Sequence, residues 1–298
     1  MSKRKIGFFV VCIVFLFLNM QGMSVDAQEE EIEIEEQDLE TGKITTYMIQ
    51  GCDREILCET PEDSRGNISE PYSIIGTDDR NVVTETNRIP YRFIGKLDIN
   101  YSNGKRGDGT AFLVGKNTLL TAGHCAYEPG TTIKKIVFSP ALKGNELPFG
   151  SYNISKIHVP TKYKEAANAG DNDNKEKYDY ALLQLASNVG STIGYFQLGG
   201  YNTQYNINNL TNTKATIAGY PAEYLQMYRH KSNILGFNEG GYCMYYDIDT
   251  VGGQSGSPVI KYVDGKYYVI GIHIEGSSTY NIGRYITGNI YELVKKYK

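Results

Sequence analysis

Short apolar stretches separated by Gly, Asn, Asp and Ser fill the chain from Ile74 onward. Stretches of this length between turn-forming residues are typical of β-strands. No long stretch with a 3.6-residue apolar period lies between them, so the pattern predicts an all-β sandwich or barrel. The predicted strands are Arg92–Ile99, Thr110–Val114, Thr118–Ala122, Ile133–Phe138, Ser155–Val159, Ala215–Tyr220, Met244–Ile248, Pro258–Tyr262, Tyr267–His273 and Tyr285–Thr287.

Two stretches depart from the strand pattern. The C-terminus, residues 289–298, predicts a short helix that Asn289 caps and that runs through Val294, with lysines near its negative end. The run Ala166–Lys177 is rich in Asn, Asp and Lys. We expect it to form a surface loop in front of an apolar strand.

The first residues have the features of an export signal. Three basic residues precede 13 apolar ones, Ile6–Leu18, and Val25-Asp26-Ala27 is a plausible cleavage site. A membrane anchor is the alternative, but spanning a bilayer takes roughly 20 apolar residues. We therefore expect residues 1–27 to be a signal peptide, and the product to be secreted, extracellular and free of a membrane anchor.

Charge divides the remaining chain into two parts. Residues 28–72 contain 14 acidic and 3 basic residues, a net charge of −11, whereas residues 73–298 carry +5. Such an acidic block is expected to resist compaction. It has the character of a propeptide attracted to a mildly basic body, although a solvated leader is an alternative. The body has no basic stripe interleaved with aromatic residues, which argues against nucleic-acid binding.

Cysteine placement is compatible with export. Cys12 lies in the signal, Cys52 and Cys58 lie in the acidic segment, and only Cys125 and Cys243 lie in the body. Disulfides form in the extracellular compartment, so Cys52 and Cys58 are a reasonable local pair. The spacing leaves open whether the two body cysteines pair. The chain has no CxxC motif and no His/Cys cluster, so we expect no structural zinc.

Three segments carry residues suited to nucleophilic catalysis. They are Leu119–Cys125, Tyr178–Leu183 and Gly252–Pro258. A serine hydroxyl needs a base within hydrogen-bond reach, and a histidine with a pKa of about 6.5 suits that role. A carboxylate must then fix the tautomer of the imidazole and stabilise its cation. Together the segments predict a catalytic triad of His124, Asp179 and Ser255.

Glycines flank the predicted nucleophile on both sides. An oxyanion hole made of backbone N–H groups needs a sharp turn without side chains that block a substrate carbonyl. We expect the N–H groups of Gly253 and Ser255 to form this hole.

Together these motifs resemble the trypsin-like serine proteases, and more closely the bacterial glutamyl endopeptidases. Ser73–Arg80, Gly219-Tyr220-Pro221 and Asp249-Thr250 add to the likeness, which covers residues 73–298. The resemblance implies a chymotrypsin-like fold of two six-stranded antiparallel β-barrels, roughly 73–190 and 191–287, with the triad between them. It implies peptide hydrolysis through an acyl-enzyme. It also leaves Cys125 without its usual partner cysteine, because Arg106–Thr110 occupies that stretch.

The P1 preference has two interpretations. Asp249 lies six residues before Ser255, where trypsin-like enzymes that cut after Lys or Arg have an acidic residue. The glutamyl endopeptidases have a histidine at the position of His273. With Thr250 it can donate hydrogen bonds to a substrate carboxylate. The resemblance adds the free α-amine of the mature N-terminus, here Ser73, and favours Glu, then Asp, at P1.

The same resemblance makes removal of the propeptide an activation step. Self-cleavage after Glu70 is disfavoured because Pro71 follows, so we expect a separate activating protease. The partners predicted are the propeptide and protein or peptide substrates, and the default state is a monomer. We expect no cofactor, and a structural calcium stays open. The rival from another class is an inactive homologue that serves as a binding module.

Overall fold

The computed structural model describes residues 27–54, 74–200 and 209–298. Most of these residues lie in β-strands. The strands are β1 Ala27–Asp38, β2 Ile44–Arg54, β3 Asn81–Val82, β4 Ile94–Tyr101, β5 Arg106–Leu113, β6 Thr118–Thr121, β7 Ile133–Pro140, β8 Tyr152–Pro160, β9 Ala181–Leu185, β10 Gln197–Leu198, β11 Lys214–Gly219, β12 Tyr228–Phe237, β13 Cys243–Tyr246, β14 Pro258–Val263, β15 Lys266–Gly276 and β16 Asn281–Tyr285. The helices are α1 Thr161–Ala169, α2 Asn172–Tyr178, α3 Gly190–Ile193 and α4 Gly288–Tyr297.

Two closed sheets form the body of the molecule. In the first, strands follow the order β8-β7-β4-β5-β6-β9, and pairing between β8 and β9 closes the ring. In the second, the order is β15-β14-β11-β12-β13-β16, and β15 pairs with β16. All pairings within the two rings are antiparallel. This confirms the expected chymotrypsin-like pair of six-stranded barrels.

Several element boundaries differ from the sequence prediction. The first predicted strand starts late, because Tyr91–Phe93 forms a 3-10 turn before β4. The predicted strand Tyr285–Thr287 is wrong, since Tyr285 ends β16 and Thr287 is the N-cap of α4. Asn289 therefore lies inside the helix and does not cap it. Strand β12 was not predicted.

The polar run before Asp179 is not a simple loop. It contains α2 and the end of α1, because apolar side chains on α1, among them Tyr163, are buried against the barrel. The Asp171 carboxylate accepts the Asn174 backbone N–H at 3.2 Å and caps α2. The sequence prediction rested on the number of polar residues and missed these helices, because a few buried apolar positions are enough to hold α1 against the barrel.

The acidic segment also departs from expectation. Instead of resisting compaction, residues 27–54 form a β-hairpin, here called the acidic hairpin, whose strand β1 pairs with β8 of the first barrel. Ile32 and Ile34 alternate with glutamates and are fully buried, and lysines on the barrel face the glutamates. The rest of the predicted propeptide, and the signal peptide except for Ala27, lie outside the described residues.

Both body cysteines are free and buried. Cys12 and Cys58 lie outside the described residues, so the predicted Cys52–Cys58 pair stays a prediction. Gly109 on β5 occupies the place of a partner for Cys125. A Cβ at Gly109 would lie 3.5 Å from the Cβ of Cys125 and 2.9 Å from its sulfur. Disulfides have Cβ–Cβ separations of roughly 3.5–4.5 Å.

We therefore predict that Gly109→Cys forms a disulfide with Cys125 under oxidising conditions. Closing a loop of this size stabilises a protein by about 3 kcal/mol, so the melting temperature should rise by several degrees. Thiol counting and thermal unfolding, with and without reductant, check this. The Gly109→Cys, Cys125→Ser double variant is the control, and thiols that stay free in Gly109→Cys would contradict the prediction.

Candidate active site

His124 lies where the first barrel meets the second. Strand β6 ends at Thr121, Ala122 is extended, and Gly123–Cys125 forms a 3-10 turn that presents the imidazole. A side chain at Gly123 is disfavoured, because a Cβ there would lie 3.0 Å from Asp179 Oδ1. The imidazole keeps 31% of its side-chain surface exposed, so a substrate can reach it.

Asp179 holds this imidazole with both carboxylate oxygens. It follows α2 directly and precedes β9, and only 4% of its side chain is exposed. Its Oδ1 accepts the His124 backbone N–H at 2.9 Å, and its Oδ2 lies 2.9 Å from His124 Nδ1. Nε2, the other ring nitrogen, is thus not the atom that the carboxylate binds. The structure thus brings together two of the three predicted triad residues as a pair.

The charge of the carboxylate changes the acidity of the imidazole. Burial by itself would lower the pKa of His124, but the negative charge of Asp179, its hydrogen bond and the neighbouring Cys125 together outweigh burial. The pKa of His124 is therefore held well above its ordinary value of 6.5. An imidazole in this setting is a strengthened base.

Ser255 lies half-buried on a tight double turn between β13 and β14. Gly253 and Gly256 on either side have φ values of +91° and +84°, which only glycine adopts readily. Space is also lacking, since a Cβ at Gly253 would lie 2.3 Å from Ala222 N and one at Gly256 would lie 2.1 Å from Thr110 O. Both glycines are therefore required by conformation and by packing.

Thr110 on β5 ties this turn to the first barrel. Its backbone N–H donates to Ser255 O at 2.8 Å, and its hydroxyl donates to Gly253 O at 3.0 Å. The same hydroxyl accepts the backbone N–H of Tyr220 at 2.9 Å. The Cys125 thiol, one residue after His124, lies 3.7 Å from Ser255 O. The structure thereby places Ser255 beside the turn that carries His124.

The backbone N–H groups of the turn divide into two sets. Those of Gln254, Gly256 and Ser257 donate to the carbonyls of Val251, His273 and Gln254. Among the described residues, no carbonyl accepts the N–H groups of Gly253 and Ser255. These two are the groups that the sequence predicted as an oxyanion hole.

His273 and Thr250 are both buried near this turn. The backbone of His273 makes two hydrogen bonds to the residues that follow Ser255: its N–H donates to Ser257 O, and its carbonyl accepts the Gly256 N–H. Its ring Nδ1 lies 2.7 Å from the Tyr246 hydroxyl. Burial, to which the positive charge of His124 adds, lowers the pKa of His273 to about 3. The ring therefore stays neutral at ordinary pH. Ser73 lies outside the described residues.

Asp249 does not present a free carboxylate. Its Oδ1 accepts the Ile75 backbone N–H at 2.8 Å and its Oδ2 accepts the Asp79 backbone N–H at 3.0 Å. Only 1% of Asp249 is exposed. His230, which the sequence gave no role, accepts the Asp249 backbone N–H through Nδ1 at 2.8 Å. Asp79, His230 and Asp249 lie close enough to share a cation, but these contacts already occupy much of their bonding capacity.

Sequence reasoning missed Arg80 and Gln254. The Arg80 guanidinium donates to the Gln254 side-chain oxygen at 3.2 Å, and that oxygen also accepts the Val251 backbone N–H at 3.0 Å. Gln254, which directly precedes Ser255, is 1% exposed. The sequence signal available was a polar residue inside a Gly-rich turn, but nothing in the sequence pointed to its partner 174 residues away.

Comparisons with known proteins agree with this geometry. The model of the trypsin-like peptidase domain matches residues 109–272. A glutamyl endopeptidase of Bacillus licheniformis is 33% identical over 243 residues, 76% of this chain and 71% of that protein. A solved structure of a Glu endopeptidase in complex with MPD superposes with a TM-score of 0.61 at 27% identity and covers 75% of this chain and 98% of that chain.

A second relative is named as a metalloprotease and not as a serine protease. A Bacillus subtilis protein named extracellular metalloprotease is 32% identical over 231 residues, 76% of this chain and 70% of that protein. The histidines of the present chain, at positions 124, 158, 230 and 273, are far apart in sequence, so the H-E-x-x-H zinc motif is absent. In the described part of the chain, no helix is long and apolar enough to cross a membrane.

The family model covers more than half of the chain. The chain therefore belongs to the trypsin-like serine peptidases.

Proposed function

We propose that the protein is a secreted glutamyl endopeptidase, made as a zymogen, with His124, Asp179 and Ser255 as its catalytic triad. Ser255 Oγ attacks the carbonyl carbon of the scissile bond while His124 Nε2 takes the hydroxyl proton. The same proton passes to the departing amine and leaves an acyl-enzyme. Water, deprotonated by His124, then releases the acid and restores Ser255. Asp179 holds the imidazole and stabilises its cation.

The oxyanion hole is assigned to the N–H groups of Gly253 and Ser255. They are held on a rigid turn and, within the described residues, donate to no carbonyl. Donors that are fixed before the reaction stabilise the developing negative charge without reorganisation. The contacts of Thr110 support the assignment, because they hold the carbonyls of Gly253 and Ser255 and so fix the backbone of the same two residues.

The P1 preference rests on one observation, the occupied carboxylate of Asp249. Both of its oxygens accept backbone N–H groups, from Ile75 and Asp79, so it is not free to bind a Lys or Arg side chain. His273 is the better candidate for substrate recognition. The Tyr246 hydroxyl lies 2.7 Å from Nδ1 of His273. With that hydroxyl as the donor, the other ring nitrogen carries the hydrogen and can donate it to a substrate carboxylate.

Thr250 and Ser73 complete the proposed pocket. Thr250 follows Asp249 directly and its hydroxyl is a second donor for the carboxylate. The Ile75 N–H donates to Asp249, the residue before Thr250. Ile75 is two residues after Ser73, so this bond holds the start of the proposed mature chain close to the pocket. This supports a role of the Ser73 α-amine in binding an acidic P1 residue once the preceding segment is removed. Export and a monomeric state belong to the same proposal.

We predict that mature protein beginning at Ser73 cleaves peptides after Glu, more slowly after Asp, and negligibly after Lys or Arg. Replacement of a donor to a charged group costs about 1.5–3 kcal/mol, so His273→Ala should lower kcat/KM for the Glu peptide roughly 10- to 150-fold. Hydrolysis of a panel of peptides that differ only at P1 measures this, with Ser255→Ala as the inactive control. Cleavage after Lys or Arg would assign specificity to Asp249, and no cleavage would favour the binding module.

We predict that Asp179→Asn lowers kcat about 10⁴-fold, because the imidazole loses its orientation and its charge partner. His124 must be neutral to act as a base, and Asp179 raises its pKa. Activity of the unmodified enzyme should therefore fall as the pH drops through a pKa above 6.5, and the variant's acid limb should move to lower pH. pH profiles of kcat/KM test this, with the exposed Asp264→Asn as a matched control. An unshifted acid limb would contradict the assignment.

We predict that Ser255→Ala protein expressed alone is still processed by the host to begin at Ser73, because another protease makes that cut. N-terminal sequencing of the secreted protein is the measurement. Accumulation of the full proform would show instead that the enzyme matures itself.

A further inference from the structure

The acidic hairpin is built into the wall of the first barrel. Residues Ile34–Asp38 of β1 pair antiparallel with Lys156–Pro160 of β8, and the Leu39 N–H adds a bond to Ser155 O at 2.8 Å. Strand β7 pairs with β8 only at Tyr152 and Asn153. The hairpin therefore supplies backbone partners to the half of β8 that β7 does not reach, which would otherwise be an open edge.

The same hairpin contributes to the apolar core. Ile32, Ile34 and Ile49 are buried at 1%, 0% and 6% relative exposure and belong to the same core cluster as Ile157 and Val159 of β8. Removal of the hairpin would take three buried isoleucines out of this core. Apolar burial of this kind holds two chains together without a covalent link.

Three ion pairs reinforce the contact. Glu36 lies 2.7 Å from Lys156, Glu30 lies 2.8 Å from Lys162, and Glu35 lies 2.5 Å from Lys164, the last two lysines being on α1. The Tyr178 hydroxyl also donates to Glu30 at 2.7 Å. Burial would raise the pKa of Glu30 and Glu36, but their lysine partners, with Tyr178 at Glu30 and His158 and Tyr297 at Glu36, together outweigh burial and lower both pKa values. The glutamates are therefore more stable as ions here than in water.

The second strand of the hairpin is held by the C-terminus. The Tyr47 hydroxyl lies 3.0 Å from His158 Nδ1, and the Lys296 ammonium lies 3.6 Å above the Tyr47 ring. Glu36 accepts from the Tyr297 hydroxyl at 3.4 Å. None of these contacts runs through residues 55–73. The hairpin is thus bound on two sides by surfaces that do not depend on its covalent link to the protease domain.

We infer that the acidic hairpin stays bound after the cut that creates the mature N-terminus, so that the active enzyme is a two-fragment complex. The site it occupies, the outer edge of β8 with the lysines of β8 and α1, is a docking surface for an acidic β-strand. This inference rests on the maturation at Ser73 proposed above. Among the described residues, no hydrogen bond or ion pair of the hairpin reaches His124, Asp179 or Ser255, so retention leaves the active site open.

The test uses Ser255→Ala proform, without its signal, in which residues 60–66 are replaced by the recognition sequence of a site-specific protease. After cutting, size-exclusion chromatography at a series of dilutions, with mass spectrometry of each peak, reports whether both fragments travel together. We expect co-elution at micromolar protein and about 0.15 M salt, and weaker association at about 1 M salt, where ion pairs are screened. A hairpin fragment that elutes alone from a folded protease domain would overturn the inference.

A variant without the three lysines tests whether the ion pairs hold the two fragments together. Lys156→Gln, Lys162→Gln and Lys164→Gln together should raise the dissociation constant of the cut complex about tenfold or more. The matched control removes three exposed lysines elsewhere, Lys134→Gln, Lys135→Gln and Lys143→Gln, and should leave the dissociation constant unchanged. Equal effects of the two triple variants would contradict the docking surface. Because no step measures hydrolysis, this test stands even if the protein proves not to cut after Glu.

Discussion

The clamp that Thr110 places on the serine turn is the contact on which the site depends. Ser255 belongs to the second barrel, whereas His124 and Asp179 belong to the first, so the proposed triad needs the two barrels in register. Thr110 sets that register through its backbone N–H and its hydroxyl, which bind Ser255 O and Gly253 O. The residue is completely buried. Buried polar groups are costly to leave unpaired, so any relative sliding of the barrels is opposed.

A second segment holds the serine turn from the opposite side. Residues 75–80 donate two backbone N–H groups to Asp249, and Arg80 reaches the side chain of Gln254. Asp249 is therefore a structural anchor for the start of the protease domain, in the position where the sequence alone made it a possible specificity residue. The segment next to the proposed mature N-terminus and the turn that carries the nucleophile thus share one hydrogen-bond network.

The sequence was sufficient for the parts of the structure that depend on local constraints. The glycine-flanked serine, the histidine after an apolar strand and the aspartate before another are short motifs whose chemistry fixes the residue types. The strand-length apolar stretches predicted an all-β sandwich or barrel, and the resemblance to the trypsin-like proteases implied the two barrels. Strand β12 escaped prediction because its first half, Tyr228–Asn233, is polar and partly exposed, with no clean alternation. The contacts of Arg80 with Gln254 and of Ile75 with Asp249 link residues 174 apart, and no local pattern encodes them.

The acidic segment was mispredicted because its composition was given more weight than its local pattern. Its net charge pointed to an extended, solvated chain, yet the order Glu-Ile-Glu-Ile at positions 31–34 is the alternation of a half-buried strand. The buried isoleucines supply the apolar contact, and the opposing lysines offset the cost of partly burying the glutamates.

Two segments of the N-terminal part of the chain hold the candidate site in a similar way, one at each barrel. Glu30 of the hairpin binds Tyr178, the residue before Asp179, while Arg80 binds Gln254, the residue before Ser255. In each barrel, therefore, the residue before one proposed catalytic side chain is held by a segment that comes before β4 in the chain. Because both segments contact the barrels through buried or charge-assisted interactions, the N-terminal part of the chain is a structural component of the folded protease and not an appendage to it.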